Sequence, residues 1–106
     1  MEMLVKKIVL HPECRQKFLD EISLANEKIR SLRGFLSGII LSSRINPDVI
    51  YYFSMWMDWE SSLDFSAYLP HFIKNNQHLV ANFSEENLEV LISVTAEGDF
   101  RPVLDA

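Results

Sequence analysis

The chain has 106 residues, 48% apolar and 24% charged, a balance that belongs to one folded globular domain and excludes a disordered polymer. A formal net charge of −5, with Lys and Arg scattered along the chain, excludes a phosphate backbone as the default partner, so no nucleic acid is expected. A lone cysteine, Cys14, allows no intramolecular disulfide, no apolar run reaches membrane-span length, and the lysines inside MEMLVKKIVL are unlike a secretory leader, so a cytoplasmic protein off the membrane is expected.

Residues 3–10, MLVKKIVL, are rich in β-formers and predict a first strand. Pro12 then suits the first turn of a helix and Glu13 its positive end, and Phe18, Ile22, Ala25, Ile29 and Leu32 recur at spacings of three and four. Cys14, at the start of that helix, reads as a small buried or half-buried side chain rather than a reactive thiol. Gly34 provides the stop. From Phe35 the period becomes two: Phe35, Ser37, Ile39 and Leu41 share one side, and Leu36, Gly38 and Ile40 the other. Asn46-Pro47-Asp48 predicts a turn, so the next strand, Val49 to Met57, returns as a hairpin.

Asp58 can cap a second helix carrying Leu63, Phe65, Tyr68 and Leu69, which Pro70 ends or kinks. A further helical stretch places Phe72, Asn76, Leu79 and Phe83 on one face, and Ser84 to Asn87 reads as a polar connector. The alternation from Leu88 to Glu97 predicts a last strand, and GDFRPVLDA an irregular tail or arm. The order is βαββαβ, which predicts a ferredoxin-like α+β domain with an antiparallel sheet covered by helices on one face. It occupies residues 1–106 as one domain, with a core over about 3–97 and a tail over 98–106.

The stretch VIYYFSMWMDWESS, residues 49–62, carries the strongest demand. Tyr51, Phe53, Met55, Met57 and Trp59 would share one side of a strand, and Ile50, Tyr52, Ser54 and Trp56 the other. Helices can cover one side only. Leaving four large apolar side chains of the second side in water forfeits on the order of 6 to 10 kcal/mol, as much as a domain of this size has in total. The economical cover is a second copy, two sheets face to face in a symmetric homodimer.

GFLSGIIL (34–41), YYFSMWMDWES (51–61) and YLPHF (68–72) resemble the antibiotic biosynthesis monooxygenase family of the dimeric α+β barrel superfamily. The resemblance spans residues 3–97 and implies a homodimer with a ligand pocket in each subunit between helices and sheet. It also implies a range of chemistry, from cofactor-free oxygenation of phenols or anthrones and quinol oxidation to haem degradation, isomerisation and no catalysis at all. Cofactor-free members carry an Asn four residues before the tryptophan of Trp-Glu-Ser. Trp59 matches that tryptophan, but Met55 stands at the Asn position and cannot donate a hydrogen bond to a substrate oxygen. Haem-degrading members carry a strand-one Asn, a Trp on the second crossover helix and a His ten residues later. Counting without gaps puts Tyr68 and His78 there, alignment on Phe72 puts Asn76 at the ligand position, and strand one offers Lys6 or Lys7 in place of Asn.

The expected function is therefore a cofactor-independent monooxygenase acting on a small reduced aromatic such as a quinol or anthrone, with no cofactor and no metal. Its alternatives are a non-catalytic small-molecule-binding or regulatory homodimer of the same fold and, third, a haem-degrading enzyme. The catalytic candidates are His78, an imidazole that can act as base near neutral pH, and Asn76, an amide on an otherwise apolar stripe. The substrate-binding candidates are Trp59, Tyr68 and Tyr52, aromatic surfaces with a polar atom. Each also has a plain structural reading: a solvent-facing histidine, a capping amide, packed aromatic rings. His71 reads as a local cap, and Trp56 and Trp59, three apart, fall on opposite faces of an ideal strand, so at most one of them can line a pocket while the other packs at the dimer seam.

Overall fold

A computed structural model describes residues 1–102; residues 103–106 of the expected tail lie outside the described residues. The elements are β1 (Glu2–Leu10), α1 (Arg15–Ile29), β2 (Phe35–Ser42), β3 (Val49–Trp56), α2 (Trp59–Asn75) and β4 (Val80–Glu89), then β5 (Ser93–Thr95) and β6 (Gly98–Phe100). The first four strands form one antiparallel sheet in the order β2-β3-β1-β4, the ferredoxin-like α+β arrangement that the element order predicts.

Both helices lie on the same face of this sheet, where Leu4, Ile8 and Leu10 of β1 and Ile50, Tyr52 and Trp56 of β3 are buried against Phe18, Ile22 and Ile29 of α1 and Phe65, Leu69 and Phe72 of α2. Phe65 is the centre of this core. Its ring stacks on Trp56 at 5.2 Å and lies 5.7 Å from Tyr52, while Phe18 meets Phe72 edge-on at 6.0 Å and joins the helices. Such aromatic contacts add to plain burial.

Chain punctuation follows local chemistry. Gly34 has φ 77°, and a Cβ there would come within 2.1 Å of the Ser61 hydroxyl oxygen at the start of α2, so both backbone and packing require glycine. Asp58 caps α2 as expected, accepting the Ser61 N–H at 2.8 Å. In the hairpin turn the Asn46 side chain accepts the Asp48 N–H at 3.0 Å, and Ser43 accepts from Ile45 and Asn46.

Four details differ from the sequence pattern. Helix α1 begins at Arg15, not at Pro12, because Glu13 has φ 65° and stands outside it. A register shift between Phe35 and Ser37 turns Phe35 to the helix side, edge-on to Trp56 at 5.2 Å, so it shares a face with Gly38 and Ile40. Helix α2 runs through Pro70 as a single element.

The largest difference is β4. It spans Val80–Glu89 and takes in Phe83 and the Ser84–Asn87 segment, while residues 93–100 form the separate β5–β6 hairpin. The physical reason is that β4 is an edge strand paired only with β1, so its polar side chains remain compatible with a ladder that does not bury them. The two-residue alternation from Leu88 onward reflects the end of one strand and the hairpin after it.

The face away from the helices carries Met3, Val5 and Val9 of β1, Ile39 and Leu41 of β2, Tyr51, Phe53 and Met55 of β3 and Leu88 of β4, with the charged Lys7 of β1 and Glu86 of β4 among them. Ile39 is 58% exposed, and Tyr51 and Phe53 touch only edge to face at 6.3 Å. No element of the described chain lies over them as the helices lie over the other face. No helix among the described residues is long and apolar enough to cross a membrane.

Candidate functional site

Where α1 crosses β2 and β3, a cavity of about 280 Å³ is lined by Asn26, Ile29 and Arg30 from the helix and Phe35, Gly38, Ile40 and Tyr52 from the strands. Tyr52 is buried because its register opposite Lys6 and Ile40 points it toward the helices. Its hydroxyl donates to Asn26 Oδ1 at 3.1 Å, and burial pushes its phenol above the ordinary value, so it stays a neutral hydroxyl at physiological pH. Gly38 keeps the space beside it open: a Cβ there would sit 3.1 Å from Tyr52 Cε1 and 3.3 Å from its hydroxyl. Glycine in a strand interior marks such a close approach.

The cavity therefore offers a hydroxyl and an amide in an apolar wall, with Arg30, its side chain largely exposed, at the rim. Asn26, Arg30 and Gly38 are not among the residues singled out by the sequence. Gly38 is the legible signal, a glycine inside a run of strand formers. Asn26, adjacent to the apolar stripe of α1, becomes a site residue only once Tyr52 is placed across from it.

The other expected site residues lie elsewhere. Tyr68 and Asn76 border an outer groove between the two helices, about 460 Å³ in volume, with Glu21, Leu24, Lys28, His71 and Asn75 among its walls. The Lys28 ammonium stands 5.0 Å over the Tyr68 ring there. Asn76 is buried and its side-chain amide donates to the Phe72 carbonyl at 2.8 Å, while its own carbonyl accepts from Leu79 and Val80, so it closes α2 and starts the turn into β4. His78 is exposed in that turn, and Trp59 opens α2 with 44% of its surface exposed. Trp56 is fully buried, its indole N–H donating to Ser54 at 2.9 Å. Neither tryptophan lines the α1 cavity. Met55 points to the open face, on the other side of the sheet from it.

An ion pair between a buried lysine and an edge-strand glutamate, which the sequence pattern conceals, lies under α2. Lys6 has no exposed surface, is paired with Glu85 of the edge strand, and its ammonium lies 5.0 Å from the Phe65 ring and 5.8 Å from the Phe83 ring. Desolvation holds the amine below its ordinary pKa, against the opposing pull of Glu85. Among the described residues, no three His, Cys, Asp or Glu side chains gather into a metal-holding group.

The fold defines a ferredoxin-like α+β domain with a helix–sheet cavity and a bare apolar sheet face. No protein-family profile matches the chain and no curated protein is similar to it in sequence. Solved structures match its fold. One, a candidate antibiotic biosynthesis monooxygenase from Deinococcus radiodurans, superposes with a TM-score of 0.79 at 14% identity, over 92% of this chain and 100% of that one. A second such candidate, from Nitrosomonas europaea, has a TM-score of 0.74 at 13% identity, over 86% and 99%. A variant of SnoaB, a cofactor-independent oxygenase from Streptomyces nogalater, has a TM-score of 0.72 at 15% identity, over 84% and 91%. The chain thus has the fold of the antibiotic biosynthesis monooxygenase structures.

Proposed function

We propose that this protein is a homodimer, joined through its open sheet faces, that binds a small reduced aromatic molecule in the α1–sheet cavity and oxygenates it without a cofactor. The observation that carries the reading is the Tyr52–Asn26 pair in an apolar cavity. Asn26 accepts the Tyr52 proton and keeps amide hydrogens of its own, so it can donate to a phenolic or enolic oxygen and fill the role for which Met55 is unsuited. The substrate would supply the electrons, leaving the protein to bind, orient and desolvate it. The fold shared with SnoaB supports the reaction class. Nine apolar or aromatic side chains on the uncovered face support the dimer.

A second reading has its own observation. Among the described residues, no carboxylate or imidazole lines the cavity, so a phenol bound there meets no strong base. That arrangement favours a dimer that binds the same class of molecule without transforming it.

The test is oxygen uptake with product analysis on reduced naphthoquinones, anthrones and single-ring quinols, against heat-denatured protein. Uptake that falls at least about tenfold in Tyr52→Phe and Asn26→Ala, and is unchanged in His78→Ala, supports oxygenation in the α1 cavity. Uptake lost in His78→Ala but not in Tyr52→Phe moves the chemistry to the α2–β4 turn. Thermal stabilisation by a compound recovered unchanged supports the binding dimer.

A further inference from the structure

We infer that the α1–sheet cavity takes a single-ring aromatic acid, with a ring oxygen against Tyr52 and Asn26 and its anionic group against Arg30. The inference rests on the reading of this cavity as the binding site and names the class of molecule that fits it.

Size comes first. Pockets for drug-sized ligands span roughly 300 to 1,000 Å³, and this one holds about 280 Å³, against roughly 150 Å³ for a cavity that takes benzene, so one ring fits with room for its substituents. Gly38 contributes to that room on one side, since even a methyl group there would press on Tyr52. The space that glycine leaves lies beside the Tyr52 hydroxyl, which is where the oxygen of a ring substituent would stand.

Charge comes second. The chain is acidic overall, with a net charge of −5, yet the ionisable cavity residues are Arg30 and Tyr52, with no Asp or Glu among the lining side chains. Tyr52 is held neutral by burial, which leaves Arg30 as the cavity's charge. Its contact with Glu27 is an i,i+3 pair at 3.3 Å with both side chains well exposed, an interaction worth little in water. A carboxylate arriving with two oxygens can replace it with a forked contact.

The end of a helix ordinarily repels an anion. Here the terminal carbonyls of α1 are already occupied: Asn26 accepts from the Arg30 N–H, Lys28 from the Ser31 N–H and hydroxyl, and Ile29 from the Leu32 N–H. The guanidinium is thus the dominant polar group at that end of the cavity. A ligand that satisfies both ends has an oxygen on one side of the ring and an anion on the other.

Titration calorimetry on the full chain at low salt tests this, with 2,5-dihydroxybenzoate, hydroquinone and 1,4-dihydroxynaphthalene as probes. Dihydroxybenzoate is expected to bind about tenfold more tightly than hydroquinone. Arg30→Gln should erase that advantage and leave hydroquinone unchanged, while Gly38→Val, or Asn26→Leu where the valine variant fails to fold by circular dichroism, should weaken both single-ring probes. Equal affinity for dihydroxybenzoate and hydroquinone, or an advantage that survives Arg30→Gln, overturns the anionic assignment while the cavity stands. Binding indifferent to Gly38→Val and Asn26→Leu overturns the cavity reading and the inference with it, and so does the absence of binding by all three probes at millimolar concentration.

Discussion

The two faces of one sheet are made from alternate residues of the same strands, yet only one is finished within a single chain. On β3 the inward set, Ile50, Tyr52, Ser54 and Trp56, is buried and its polar atoms have partners: Tyr52 on Asn26, Trp56 on Ser54. The outward set, Tyr51, Phe53 and Met55, is half-buried by its neighbours in the sheet. Hydrophobicity is similar on both faces; completeness is not. A face with satisfied polar atoms and helices above it can hold a cavity of fixed shape, whereas the other is apolar area awaiting cover.

The sharpest way to break the comparison is on the inward face. Trp56→Ala removes the ring that stacks on Phe65 and abuts Phe35 and should cost about 3–5 kcal/mol by urea unfolding, by the same amount at every protein concentration. Next, Glu85→Ala strands a buried ammonium and should cost about 3 kcal/mol, whereas Lys6→Met, which removes the charge and keeps the volume, should stay within about 1 kcal/mol of the parent. The same pair has a signature in pH. The folded-state pKa of Lys6 lies below its ordinary 10.5, so the unfolded chain binds more protons between the two values and stability should rise with pH in that window. In Lys6→Met that rise should vanish.

On the outward face, Phe53→Glu places two carboxylates near each other across the proposed dimer. The dissociation constant should rise at least about hundredfold and the light-scattering mass at micromolar concentration should halve, with little change in the fold by circular dichroism. A mass unchanged by Phe53→Glu would show that this face is not the seam. The smallest effect belongs to neither face: Asp58→Ala removes the cap of α2 and should lower the urea midpoint by less than any of the destabilising substitutions above. Because the Ser61 backbone bond lowers the Asp58 pKa below 3.8, its contribution is present above that pH and is lost as pH falls through the lowered value.

Much of the fold was legible because its signals are local. The stripe Phe18, Ile22, Ala25 and Ile29 is the buried face of α1, Asp58 is the cap of α2, and the parity of Tyr51 to Trp56 separates the two faces as the alternation requires. Less of the candidate site was legible. Tyr52 lines the α1 cavity, but Tyr68 and Asn76 lie at an outer groove, and His78 and Trp59 at exposed helix-end positions. Spacing along a helix or strand cannot tell which of two polar residues will meet across elements. Asn26 and Tyr52 are 26 residues apart and share a hydrogen bond only because β3 is paired beneath α1.

By itself, then, the sequence determined the order of elements, the punctuation at Gly34, Asn46 and Asp58, and the two-sided apolar character of the third strand, since each depends on backbone preference or side-chain period within a few residues. Only the tertiary structure decided that Ser84 to Asn87 belongs to an edge strand, that Phe35 turns inward at a bulge, that Lys6 is buried against Glu85, and that Gly38, Tyr52, Asn26 and Arg30 enclose one cavity. Those facts arise from pairing between distant strands and from the loss of water around the groups they bring together, and no local pattern encodes either.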